Sequence, residues 1–165
     1  MLNFLKTRTV AGFGAVALAF AVGAGFAGLA QAQDKTPIKI GFGMAQTGPL
    51  GANGKSAMLA MDIWVEETNA KGGLLGRPVQ LVYYDDQSNP STVPGIYTKL
   101  LDVDKVDLVV GPYATAMIAP AMPVVMQKGK VFIGLFGLAV NSEFNYPKYF
   151  GYLKSWFTSS ANRLI

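Results

Sequence analysis

Residues 107–120 read DLVVGPYATAMIAP, an apolar run that stops at Gly111-Pro112 and resumes in residues suited to a helix. Leu108, Val109 and Val110 have the uninterrupted apolar character of a short parallel strand buried on both faces. Pro112 has no N–H and disfavours the α conformation at Gly111, so the strand ends there. A helix starting near Ala114 or Thr115 leaves its first N–H groups without partners inside the helix. That end, beside Tyr113 and Thr115, is rich in donors and partly positive. In open α/β sheets ligands sit outside the carboxyl ends of the strands, where such helix starts converge. The corner is therefore expected to hold an anionic or carbonyl group of a small molecule.

The flanking sequence supplies the rest of such a sheet. Toward the N-terminus, residues 37–44 (PIKIGFGM) alternate Ile38, Ile40 and Phe42 with Lys39 and Gly41, a strand pattern. A glycine-rich stretch from Ala45 to Lys55 follows and reads as a binding loop. Gly41 and Gly43 begin a dinucleotide fingerprint, but Gln46 stands where its third glycine would be, so a nucleotide site is set aside. Ser56 to Ala70 has helical spacing and ends at Gly72-Gly73. Asp62 and Glu66 lie on one face of it, and with no further ligand side chain beside them they read as a solvated face. Val79 to Tyr84 forms a second strand, leading into Asp85-Asp86-Gln87-Ser88-Asn89-Pro90. Adjacent carboxylates in an extended chain point to opposite faces, so Asp85 and Asp86 are expected to hold loop N–H groups and cap the next helix, not to share an ion. That helix spans about Thr92 to Val103, with Pro94 and Gly95 confining its regular part to the later turns.

Beyond the opening stretch, Ala116 to Gln127 reads as a helix made irregular or bent by Pro120 and Pro123, and Gly129 ends it. Val131 to Leu135 is a fourth strand, and Phe136 to Asn141 a loop. Strand and helix alternate three times before that last strand. The pattern predicts an α/β fold with a parallel sheet, right-handed crossovers, helices on both faces and a crevice at the carboxyl ends.

The chain has 165 residues, half of them apolar, with no cysteine and no histidine. Thiolate nucleophiles, imidazole bases and most zinc chemistry are thereby excluded. Once Lys6 and Arg8 are set aside, the basic excess of four falls to two, too little for a nucleic-acid surface. Those two residues precede an uncharged run to Gln33 that ends in Ala30-Gln31-Ala32, the three-part pattern of a cleavable signal peptide over residues 1–32. The alternative is an uncleaved membrane helix. Gln33, where a lipid-anchored protein would have cysteine, gives no support to a lipid anchor. The mature chain is expected in the periplasm.

The segments IKIGFGMAQTGPLGANG, NAKGGLLGRPVQLVYYDDQSNP, VDLVVGPYATA and VFIGL, in this order, resemble periplasmic branched-chain amino-acid-binding proteins of the leucine/isoleucine/valine type. The resemblance covers about Pro37 to Phe150. It implies the N-terminal lobe of a type I periplasmic-binding-protein fold, incomplete here, from a two-lobed, monomeric protein that closes on an amino acid and delivers it to an ABC permease. No cofactor or metal is implied. The family's carboxylate-binding hydroxyl falls on Thr115, with Tyr113, Ala114 and Ala116 beside it. An aromatic wall of the family's pocket falls on Asn53. The backbone carbonyl and the threonine that receive the ligand's ammonium fall on Phe136 and Leu138. The side chain of Leu138 can accept no hydrogen bond, and one bond to a charged group is worth about 1.5–3 kcal/mol. The expected ligand therefore shifts from leucine, isoleucine or valine toward an apolar or aromatic carboxylate.

Residues 151–165 do not resemble the family's continuation into a hinge and second lobe, which suggests a truncated or frame-shifted product. A sensor domain signalling through a protein partner is the alternative function. An enzyme is not expected, because Gln46, Thr47, Asn53, Asp85, Asp86, Tyr113 and Thr115 offer no histidine base and no metal set.

Overall fold

A computed structural model of the chain describes residues 36–153. Its elements are β1 (Ile38–Met44), α1 (Gly51–Ala70), β2 (Val79–Asp85), α2 (Val93–Asp102), β3 (Leu108–Val110), α3 (Thr115–Gln127), β4 (Phe132–Gly134), α4 (Asn141–Phe144) and β5 (Tyr149–Gly151). The strands form one sheet in the order β2-β1-β3-β4-β5. Every neighbouring pair is parallel, with Phe42 opposite Tyr83, Gly41 opposite Val109, Val109 opposite Phe132 and Phe132 opposite Tyr149. All carboxyl ends therefore share one edge.

Side-chain alternation divides the core into two clusters, one on each face of the sheet. Val109 joins Phe132 and Tyr149 beneath α2 and α3, where Tyr97, Leu100, Met117, Ile118 and Met122 are buried. Its neighbour Val110 points to the opposite face and joins Ile40, Phe42, Met44 and Val79 beneath Ala57 and Met58 of α1. Gly41 of β1 leaves room for Val106, just past the end of α2, to pack against the strand. A Cβ at Gly41 would lie 2.8 Å from Val106, and one at Gly43 would touch Ile96 and Tyr97.

The structure differs from the sequence reading at several element bounds. α1 begins at Gly51, five residues before Ser56. Gly51 and Gly54 are close-approach positions, not loop residues: a Cβ at Gly54 would fall inside the Ala45 carbonyl. Pro94 lies in the first turn of α2, where its missing N–H costs nothing, so the helix is regular from Val93. Pro120 and Pro123 both lie inside α3, which continues through them. α4 and β5 follow the loop after β4 where no element was expected. The export signal read at residues 1–32 and the tail from residue 154 lie outside the described residues.

Candidate functional site

The loops at the carboxyl edge are fastened to one another by side chains that arrive from the strand ends. Asp85 closes β2 and accepts hydrogen bonds from the Gln46, Thr47 and Gln87 N–H groups and from the Thr47 hydroxyl, at 2.7–3.2 Å. Burial pushes its carboxyl up, but the bonds from Thr47, Gln87 and Gln46 together outweigh it, and the group sits below the usual aspartate range. Ser88 receives the Leu50 N–H at 3.0 Å and donates to the Thr47 carbonyl at 2.7 Å. The start of α1 is thus held by the loop after β2. The Asp86 carboxylate accepts only the Ser88 N–H, through Oδ1, while its buried Oδ2 has no partner. Burial, together with the charge of Asp85, raises its carboxyl above the usual range. Neither aspartate caps α2, which has no side-chain cap; Asn89 instead caps the short 3₁₀ turn Pro90–Thr92 before it, its side chain accepting the Ser91 N–H.

At the end of β3 the buried Tyr97 hydroxyl donates to the Val110 carbonyl, tying α2 to the residue that precedes Gly111-Pro112-Tyr113. Burial drives that hydroxyl's pKa well above its ordinary value, so it remains a donor. Ala114 then turns the chain with φ 79° and ψ 149°, a conformation that side chains other than glycine's adopt only under strain. The first bonds of α3 run from the Met117 and Ile118 N–H groups to the Ala114 carbonyl. The Thr115 and Ala116 N–H groups precede them at the positive end of the helix.

Thr115 Oγ1 accepts the Leu138 N–H at 2.9 Å and reaches the Leu138 carbonyl at 3.4 Å. The first bond fixes the loop after β4 against the start of α3. The second is long, so the threonine proton is free to turn toward a stronger acceptor. Leu138 is about half exposed and lies against Thr115. Beside this corner Asn53, Ser56, Ala57 and Ala60 of α1 face Tyr113 and Phe136 across an open cleft of about 330 Å³. The two rings are 5.0 Å apart at 34°.

The structure therefore divides the seven residues singled out from sequence. Asn53, Tyr113 and Phe136 line the cleft, while Ala114, Thr115, Ala116 and Leu138 form the helix start and its clasp. Ser56, Ala57 and Ala60 were not singled out. They follow Asn53 at three, four and seven residues, a helical spacing that became visible only with α1 starting at Gly51. Among the described residues no group of three or more acidic, histidine or cysteine side chains could hold a metal. No helix among them is long and apolar enough to cross a membrane.

Residues 37–163 match the model of a family described as periplasmic binding proteins. The Leu/Ile/Val-binding protein of Escherichia coli K12 is 28% identical over 120 residues, 73% of this chain and 32% of the relative. A Leu/Ile/Val-binding protein of Rhizobium johnstonii is 32% identical over 108 residues, 66% of this chain and 28% of the relative. Among solved structures, the branched-chain amino-acid transporter substrate-binding protein of Streptococcus pneumoniae with isoleucine is similar, at a TM-score of 0.66 and 28% identity. That similarity covers 70% of this chain and 33% of the other. The chain thus spans about a third of the length of the relatives it matches, and its parallel sheet is that of a type I periplasmic-binding-protein lobe. It belongs to the periplasmic binding protein family, a family of solute-binding proteins and not of enzymes.

Proposed function

We propose that this chain is the extracytoplasmic solute-binding component of an ABC importer for an amino acid or a related apolar or aromatic carboxylate. Residues 1–32 serve as its export signal, and an ABC permease receives the ligand. The observation that carries the reading is the junction of the α3 start with the aromatic cleft. The Thr115 and Ala116 N–H groups and the Thr115 hydroxyl offer donors to a carboxylate, and Tyr113 and Phe136 offer an apolar wall to its side chain. Donors at a helix start and an apolar wall are what a small anionic solute needs. The relatives named as binding leucine, isoleucine and valine support the amino-acid or carboxylate class.

Saturation-transfer NMR of the 165-residue chain against leucine, phenylacetate and 4-hydroxyphenylacetate tests the reading. At least one binds, and Thr115→Val weakens that ligand about tenfold or more, the worth of a hydrogen bond to a charged group. Unchanged affinity in Thr115→Val would remove Thr115 from the site.

A further inference from the structure

The wall of the cleft opposite the two rings is polar in a particular way. Ser56 Oγ donates to the Ala52 carbonyl at 3.1 Å. With its proton so committed, it presents lone pairs to the cleft. Asn53 stands one turn earlier on the same side of α1, and its amide makes no hydrogen bond with any described residue. Its NH₂ group is available as a donor. Ala57 and Ala60 leave the space between them and the Tyr113–Phe136 pair unfilled. No charged side chain lines the cleft.

We propose that Asn53 and Ser56 read a hydroxyl group on the ring of an aromatic carboxylate held against Tyr113 and Phe136. The inference rests on the ligand-binding role proposed for this cleft. A ring hydroxyl both donates and accepts. Here it gives its proton to Ser56 Oγ and receives one from the Asn53 amide. The ring lies against the aromatic pair, and the carboxylate extends to the start of α3. An ammonium group would bring only donors, which the Asn53 NH₂ cannot meet. A ligand lacking the hydroxyl leaves the Asn53–Ser56 pair to water, so the two polar residues set specificity while the rings supply contact area.

The test is a saturation-transfer titration of the 165-residue chain with 4-hydroxyphenylacetate, phenylacetate and leucine, with circular dichroism confirming that each variant is folded. The hydroxylated compound is expected to bind about three- to tenfold more tightly than phenylacetate, the range of one net hydrogen bond. Ser56→Ala and Asn53→Ala are each expected to bring the two affinities together. Three results overturn the inference while leaving the cleft a binding site: equal affinities for the two aromatic acids in the unaltered chain, a preference that survives both substitutions, or leucine bound more tightly than either. Binding of none of the three removes the proposed function and this inference together.

Discussion

Two backbone positions carry opposite costs. At Gly54 a side chain has nowhere to go, because its Cβ would fall inside the Ala45 carbonyl, and backbone does not yield as a flexible side chain would. Gly54→Ala is expected to lower stability by about 2–3 kcal/mol, read from the urea midpoint, and to displace Asn53 with the first turn of α1. A midpoint within experimental error of the unaltered chain would contradict the packing described. Ala114 is the reverse case. It holds a left-sided φ of 79° with a methyl group present, and such strain costs about 1–3 kcal/mol. Replacing it by glycine relieves the strain but adds freedom to the unfolded chain, worth about 0.4–1 kcal/mol against the fold. Ala114→Gly is therefore expected to raise stability by about 1 kcal/mol, as the difference of those two effects, and a loss of stability would refute the strain. The sequence pointed to the Ala114 corner through Gly111-Pro112, since a proline's effect is local. It did not reveal that Ala114 is strained, because φ there is imposed by β3 and α3 together.

The loop after β2 illustrates an element held by two adjacent carboxylates with opposite dependence on pH. Asp85 is shifted below the 3.8 of a free aspartate. Below that value the unfolded chain binds the proton more readily, so Asp85 stabilises the fold above it and its contribution fades as pH falls through its lower folded value. Asp86 is shifted above 3.8. Between 3.8 and its higher folded value the folded chain holds the proton that the unfolded chain releases, so stability falls as pH rises and levels off beyond. Melting temperatures measured from pH 3 to 7 should separate them. Asp85→Asn is expected to reduce stability at neutral pH and to flatten the loss on the acid side. Asp86→Asn is expected to compare better with the unaltered chain at pH 7 than at pH 4. Parallel curves for the two variants would show that one of these environments is misassigned. Here the sequence was partly legible: the strand end and the aspartates' hold on loop N–H groups follow from residue type and alternation. Which aspartate would be buried was not, because that depends on Tyr97 and Gly43 meeting Asp86 from α2 and β1. The start of α1 was misplaced for a related reason. Gly51 and Gly54 signal a loop to any local reading, and only the proximity of Gln46 and Ala45 shows that they admit a helix.

Across the whole sheet the two faces are unequal. The alternation of strands and helices was readable because parallel pairing needs a crossover of a dozen or more residues between strands, and hydrophobic spacing reveals it. The short β5 was not, since Tyr149–Gly151 lacks the β-branched residues that mark β3 and β4 and is defined by pairing with β4. Its addition exposes an imbalance. On the face of α2 and α3, Phe132 is wholly buried, with Tyr97 and Tyr149 set edge-on against it. On the other face Leu108, Val131, Ile133 and Phe150 belong to neither core cluster, and Ile133 and Phe150 are 36% and 52% exposed. Neighbouring residues of one strand should therefore behave in opposite ways. Phe132→Ala is expected to cost about 3–5 kcal/mol, whereas Ile133→Thr should change the unfolding free energy by no more than about 0.5 kcal/mol. An apolar sheet face beside a strand edge is also a surface on which chains associate. Sedimentation velocity at rising concentration is expected to show self-association of the chain from Gln33 onward that Ile133→Thr with Phe150→Thr reduces. If the double variant is as stable as expected yet associates as strongly as the unaltered chain, another surface carries the contact. If Ile133→Thr instead costs as much as Phe132→Ala, that face is covered in solution and the imbalance does not exist.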